Sequence, residues 1–341
     1  MMKKVRVAMI GFGGIARAHL AAYQILAQKG APVELIAVCD VDEKKFAESM
    51  EINIDTGKVQ LSENCHTYTD ADEMLAKEDF DMVDICLPTY LHKEYSIRML
   101  RADKHVLVEK PMALNYADCC EMIETAKQTG KRLMVGQCLR FSAEYDYLKK
   151  CVDDGKYGRL HRLSMQRLSV LPTWGFENWF LDVDKSGGAI LDTHIHDVDM
   201  ARYLLGEPHS VSTWTEDVVS KWQYVSTRLH YDGATVLAEC SWDEENGWRF
   251  RDGFRARFER GELVLEDNSL HVYPKDGEPF KADVPQTNHM VEEIAFLVGL
   301  ILDPTAKNEK NPPESAAATV RLVEKLRESA DGNAVILPFQ A

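Results

Sequence analysis

Several large classes of protein are excluded by what this sequence lacks. Its eight cysteines include no C-x-x-C pair, and two of them, Cys119 and Cys120, are adjacent. That pattern spells neither a disulfide frame nor a zinc site, and points to reduced thiols in a cytoplasmic protein. Basic residues come in nothing longer than pairs such as Lys3-Lys4 and Lys149-Lys150, and 40 Lys and Arg stand against 55 Asp and Glu, a net charge of −15. A chain so acidic is repelled by phosphate backbones and anionic bilayers, so no nucleic-acid and no membrane partner is expected. The longest strongly apolar run, Ile294 to Leu302, is far too short to cross a bilayer. Met1-Met2-Lys3-Lys4 leads into a short strand rather than into a signal-peptide pattern. There is no internal repeat and no low-complexity segment. What remains is 341 residues, 45% apolar and 28% charged, the composition of a globular protein of two domains with a sizeable core.

The first part alternates strands with helices. Val5 to Ile10, Val33 to Cys39, Met82 to Leu87, His105 to Val108 and Leu133 to Gly136 read as strands. Gly14 to Lys29 and Asn115 to Thr129 read as helices closed by Gly30 and Gly130, and Met50 to Thr69 as a polar, irregular connection. Strands alternating with helices imply a doubly wound parallel sheet, a Rossmann-type α/β domain over residues 1–138. Beyond Arg140 the strands follow one another with few helices between them: Leu160 to Leu168, Ser210 to Thr215, Tyr224 to Tyr231, Thr235 to Trp242, Phe254 to Phe258, Glu262 to Glu266 and Ser269 to Tyr273. Asp232-Gly233 and Gly261 supply hairpin turns. Residues 139–341 therefore read as an α+β domain with an open, mostly antiparallel sheet, completed by helices at His289 to Leu302 and Glu314 to Ser329. The last helix is allowed to pack back on the first domain.

Gly11-Phe12-Gly13-Gly14-Ile15-Ala16 matches G-x-G-x-x-A between a strand and a helix. Gly11 makes the tight turn and Gly13 lets a pyrophosphate approach the backbone. The helix begun by Gly14 and Ile15 offers its positive end to the phosphates. Asp40 closes the second strand, where a carboxylate accepts from ribose hydroxyls and repels a 2′-phosphate. NAD is favoured over NADP, with Lys44 and Lys45 nearby keeping NADP open.

Two further stretches carry chemistry. Leu191-Asp192-Thr193-His194-Ile195-His196-Asp197 has helical apolar spacing, so Asp192 and His196, four apart, share a helix face. A carboxylate beside an imidazole suits proton abstraction from a hydroxyl. His194 and His196 form H-x-H, but residues two apart on a helix diverge, so no metal is expected. Glu109-Lys110-Pro111 ends a strand at the edge where doubly wound folds bind ligands, and a lysine there can stabilise an alkoxide. Arg140 either orients cofactor or substrate or pairs with a carboxylate such as Glu109 or Glu144. Trp174, in the aromatic loop Pro172 to Phe180, either packs on a sugar ring or fills the core. Asp199 and Tyr203 read as structural polar positions.

In order and spacing these pieces resemble the glucose–fructose oxidoreductase, inositol dehydrogenase and MocA family over nearly the whole chain. The resemblance rests on the glycine motif, Leu87-Pro88-Thr89-Tyr90-Leu91-His92, Glu109-Lys110-Pro111 and Gly136-Gln137-Cys138-Leu139-Arg140-Phe141. It continues in Gly187-Gly188-Ala189-Ile190-Leu191-Asp192, His196 with Asp199, and Pro313-Glu314-Ser315-Ala316. It implies that Lys110, Asp192 and His196 are catalytic and contact substrate, and that Pro88, Thr89, His92, Glu109 and Lys110 line the cofactor. Arg140 and Trp174 join the substrate side. The implied activity is NAD-dependent hydride transfer at a secondary alcohol or ketone of a polyol, cyclitol or sugar-like molecule, in a homodimer or homotetramer built through the C-terminal sheet. The rival expectations are a reductase of another carbonyl or an imine, and a non-catalytic NAD(P) sensor.

Overall fold

The computed structural model describes residues 3–47 and 59–340. The chain forms two compact units, Met1–Cys138 with Thr287–Ala317, and Leu139–Gln286 with Ala318–Ala341. A single break near residue 138 therefore understates the path, because the chain returns to the first unit over Thr287–Ala317.

The first unit holds six strands, β1 (Val5–Ile10), β2 (Val33–Cys39), β3 (His66–Tyr68), β4 (Met82–Ile85), β5 (His105–Val108) and β6 (Leu133–Val135). They form a parallel sheet in the order β3-β2-β1-β4-β5-β6. Helices α1 (Gly14–Gln28), α2 (Ala71–Lys77), α3 (Thr89–Arg101) and α4 (Tyr116–Thr129) connect them. Val5, Val7, Ala8, Met9 and Ile10 of β1 are all buried, which is why this strand reads as an apolar run rather than an alternation. Local signals set the helix ends. Asp70 accepts from the backbone of Asp72 and Glu73 at the start of α2, and Asn115 from Asp118 at the start of α4, which Gly130 closes in a left-handed conformation.

The stretch read as irregular from Met50 to Thr69 is corrected at its end, where His66–Tyr68 forms β3; residues 48–58 lie outside the described residues. β3 is a three-residue edge strand with no buried position, so it has no apolar pattern to show. The returning helix His289–Leu302, capped by Asn288, packs on α1 through Met290, Val291, Ile294, Leu297 and Val298.

The second unit is built on a nine-stranded sheet. Its strands are β7 (Leu160–Val170), β8 (Ser210–Glu216), β9 (Tyr224–Tyr231), β10 (Ala234–Glu244), β11 (Arg251–Phe258), β12 (Gly261–Glu266), β13 (Ser269–Pro274), β14 (Phe280–Lys281) and β15 (Leu337–Pro338). The order is β14-β13-β12-β11-β7-β10-β9-β8-β15, antiparallel throughout except where β10 runs parallel to β7. Asp232-Gly233 makes the two-residue turn of the β9–β10 hairpin, with Gly233 at φ +76°. Helices α5 (Ala143–Asp153), α6 (Val183–Ser186), α7 (Ala189–Asp192) and α8 (Ile195–Leu205) precede β8. α7 and α8 pack on the sheet at β9 and β10. Leu168, Leu237 and Val264 alternate with buried neighbours and stay half-exposed on the sheet's other face. Among the described residues no helix is long and apolar enough to cross a membrane.

Leu297 is fully buried. Leu297→Ala is expected to lower stability by roughly 2–5 kcal/mol in denaturant unfolding. An unchanged midpoint would separate the returning helix from the first unit's core.

Candidate active site

In the first unit the strand order reverses beside β1, and ligands of such sheets bind outside the carboxyl ends at that point. Gly11 sits there at φ +88°, and a Cβ on it would lie 2.4 Å from the Cys86 carbonyl oxygen, so only glycine fits the turn. Gly13 precedes α1 with no side-chain cap, and a Cβ built on it meets nothing within 4 Å. Gly14 and Ile15 are half-buried. The start of α1 therefore leaves its amides and an open space to an anion, which fits the pyrophosphate of a dinucleotide. The Asp40 carboxylate accepts from Phe12 N at 2.7 Å and Asp42 N at 2.9 Å, and pairs with Lys45 Nζ at 3.0 Å. Pro88 and Thr89 open α3 beyond the end of β4, and the buried Thr89 hydroxyl has no hydrogen-bond partner within the protein.

Two residues expected to line the cofactor, His92 and Glu109, make hydrogen bonds within the first unit. The His92 ring is 1% exposed, with Nδ1 2.8 Å from the Pro111 carbonyl and Nε2 2.7 Å from that of Leu87. It ties the loop after β4 to the loop after β5, and burial pushes its titration down. Glu109 directs Oε1 to His19 Nε2 at 3.0 Å and accepts the Lys110 backbone N–H on Oε2 at 3.2 Å. Lys110 itself is half-buried at the end of β5, followed by a cis bond to Pro111. His19 and its partner Asp84 escaped the reading of the sequence. The signal was present as an acidic residue inside an otherwise apolar strand.

In the second unit Asp192 and His196 do not share one helix. α7 ends at Asp192 and α8 begins at Ile195, and the His194 N–H reaches back five residues to the Ala189 carbonyl at 2.9 Å. This wide turn breaks the simple i, i+4 geometry. Asp192 is 8% exposed and accepts from Thr193 Oγ1 at 3.1 Å; Trp242 Nε1 donates to the same hydroxyl at 2.8 Å. Thr193 and Trp242 were not singled out in the sequence, since the contact of Trp242 with Thr193 needs β10 to pack against α7. His196 is half-buried at the start of α8. The loop before Asp192 is held by Arg327, which donates to the Gly187 carbonyl at 2.7 Å.

His194 is fully buried, with Nε2 2.9 Å from Thr227 Oγ1. Burial, with the nearby Arg167 charge, pushes its titration down to about 3. H-x-H thus sends one imidazole into the sheet. Of the two readings of Arg140, the structure shows a pairing with a carboxylate, that of Asp199 rather than Glu109 or Glu144, with Nε and Nη2 2.8 and 2.7 Å from its two oxygens. Asp199 also accepts from Thr319 at 2.8 Å. Trp174 meets Phe180 edge-on, and Phe180 stacks on Trp179 and abuts Trp242. The aromatic loop is therefore at least partly self-packed.

Two family models match the chain: the oxidoreductase family with NAD-binding Rossmann fold over residues 5–137, and the GFO/IDH/MocA C-terminal domain over residues 145–264. The chain belongs to this family. Among curated relatives, the Myo-inositol 2-dehydrogenase of Thermotoga maritima is 33% identical over 204 residues, 60% of this chain and 55% of that protein. The chain's match thus spans about half the length of that relative. The Inositol 2-dehydrogenase of Rhizobium meliloti is 29% identical over 286 residues, 80% of each chain. The solved levoglucosan dehydrogenase in complex with NADH and L-sorbose shares the fold, with a TM-score of 0.82, 18% identity, and 99% of this chain and 100% of that one covered.

Two measurements probe this framework. Asp199→Ala leaves the Arg140 guanidinium buried without its carboxylate and is expected to cost roughly 3–5 kcal/mol of stability. Near-native unfolding would show the pair to be dispensable. For His194, the ordinary imidazole value of 6.5 applies in the unfolded chain, against about 3 in the folded one. The unfolded state alone takes up this proton between those values, so stability is lost as pH falls through that window. The slope is at most about 1.4 kcal/mol per pH unit. Asp197, raised from 3.8 to about 6 by burial, acts in the opposite sense between those two values. His194→Gln should therefore remove about one proton from the measured slope between pH 4 and 6. Identical slopes would refute the neutral buried His194.

Proposed function

We propose that the protein is an NAD-dependent dehydrogenase acting on a secondary alcohol of a polyol, cyclitol or sugar-like molecule. The observation that carries this reading is the conjunction, in one chain, of a dinucleotide crevice at Gly11–Ile15 and Asp40, a lysine fixed at the end of β5, and a buried carboxylate four residues before a half-buried histidine. The names of the Thermotoga and Rhizobium relatives, both inositol dehydrogenases, support a cyclitol-like substrate. Bound NAD supplies the hydride acceptor. Gly13 and the first amides of α1 hold its pyrophosphate, and Asp40 receives the ribose hydroxyls. Lys45, already paired with Asp40, is held against the carboxylate that disfavours a 2′-phosphate, which supports NAD over NADP.

On the substrate side, His196 accepts the hydroxyl proton, a transfer for which an imidazole is the commonest base. Lys110 donates to the same oxygen and stabilises its developing negative charge. Asp192, oriented by the Thr193 hydroxyl and through it by Trp242, orients His196 or accepts from a neighbouring substrate hydroxyl. In this reading the protein works in the cytoplasm, and a second copy covers the open face of the nine-stranded sheet.

A screen of polyols, cyclitols and sugars with NAD, followed by nicotinamide absorbance, tests the reading. With a substrate in hand, His196→Ala and Lys110→Ala should each lower kcat by about 10²–10⁴ while NAD binding, measured by calorimetry, persists. Turnover near that of the unmodified protein in either variant removes that residue from the mechanism. NAD binding without turnover of any secondary alcohol favours a cofactor sensor instead.

A further inference from the structure

The first unit buries a histidine that the proposed reaction does not use. His19, on α1, has no exposed surface, and each ring nitrogen faces a carboxylate: Nδ1 lies 2.8 Å from Asp84 Oδ2, and Nε2 lies 3.0 Å from Glu109 Oε1. A neutral imidazole has one N–H, and a carboxylate only accepts, so both contacts are satisfied together by the imidazolium. Burial alone would lower the basicity of His19, but the Asp84 charge and hydrogen bond outweigh it and the ring is held well above 6.5. Glu109, in turn, is held below the usual carboxylate range against the pull of burial, chiefly by the hydrogen bond and charge of His19.

The surroundings lock this arrangement. Tyr23 donates to the same Asp84 oxygen at 2.9 Å, and the Cys86 thiol lies 3.6 Å from the other. A Cβ on Gly136 would fall 2.6 Å from Glu109 Oε1, so a larger residue there would displace the carboxylate from this position. From the returning helix, Glu293 is fully buried with neither carboxyl oxygen hydrogen-bonded within the protein, and burial pushes it well above the usual carboxylate range, which favours its neutral form. His289, Cys138, His92 and Lys110 complete the titratable groups acting on Glu109 and Glu293. His19, Asp84 and Cys86 also bring three potential metal ligands within 4.8 Å of one another. Metal binding there would need the Cys86 thiol, raised to about 12 chiefly by burial, to lose its proton, and both imidazole nitrogens to give up the carboxylates they already face.

We infer that His19 is a positioning residue for Lys110: its imidazolium clamps Glu109 as a carboxylate, and Glu109, accepting the Lys110 backbone N–H, fixes the origin of the lysine that meets the reacting oxygen. This rests on the proposed role of Lys110. The clamp works through one side chain and one main-chain hydrogen bond.

The test compares the full-length protein with His19→Gln, Glu109→Gln and the double variant, measuring kcat, KM and NAD affinity from pH 5.5 to 10. In His19→Gln, kcat should fall on the order of tenfold with NAD affinity within about twofold. Glu109, deprived of its cation, should titrate within the assayed range and add a new acid limb to the kcat profile, absent from the double variant. A His19→Gln profile that overlays that of the unmodified protein overturns the inference, as does a new limb that survives in the double variant. If the unmodified protein turns over no alcohol, the dehydrogenase reading fails and the positioning role falls with it, an outcome distinct from an active protein indifferent to His19. Ring-nitrogen NMR of the unmodified protein needs no variant to fold. One histidine should stay doubly protonated well above the ordinary imidazole range, and its absence, or a stoichiometric metal in the purified protein, would equally refute the clamp.

Discussion

A parallel strand cannot return through a tight turn, so each link in the first sheet must climb over a face before the next strand begins. With β1 between β2 and β4, the strand order reverses at β1, and ligands of such sheets bind outside the carboxyl ends of the strands at that point. Gly11, Asp40, the Leu87–Pro88 turn and Glu109–Lys110 all fall at those ends. Their meeting is a property of the strand order. The close approach of Gly11 to the Cys86 carbonyl binds the phosphate turn directly to β4, so the crevice and the sheet cannot be varied independently.

Buried charge in both units is set against opposite charge. Arg140 pairs with Asp199 and Arg167 with Asp197 in the second unit, while His19 lies between Asp84 and Glu109 in the first. Removing such groups from water costs several kcal/mol per ion, so pairs of this kind give little net stability. What they give is direction, because a charge buried among few partners has one orientation that satisfies it. Arg140 with Asp199 and Thr319 links three segments of the second unit, and His19 links α1, β4 and the end of β5.

The break between α7 and α8 has a similar logic. A continuous helix would stack Asp192 above His196, whereas the wide turn at Thr193–His194 sends the His194 ring into the sheet and brings Thr193 beneath Trp242. The carboxylate of Asp192 is then oriented by its own neighbour in sequence.

Much was legible in the chain alone. The G-x-G-x-x-A turn, the acidic end of β2, the strand ends before Lys110 and the helix His289–Leu302 are set by local rules: glycine at positive φ, apolar runs of strand length and helical spacing. These rules act over a few residues, and a sequence states them openly. The edge strand β3, with no buried face, left no such mark. The partners of Arg140, Glu109 and His92, the split between α7 and α8, and the return of Thr287–Ala317 to the first unit were decided only by the tertiary structure. Arg140 with Asp199, Glu109 with His19 and the return of Thr287–Ala317 join segments dozens to hundreds of residues apart, brought together by burying apolar surface. A carboxylate in the sequence carries no sign of which distant cation or amide that burial will set beside it.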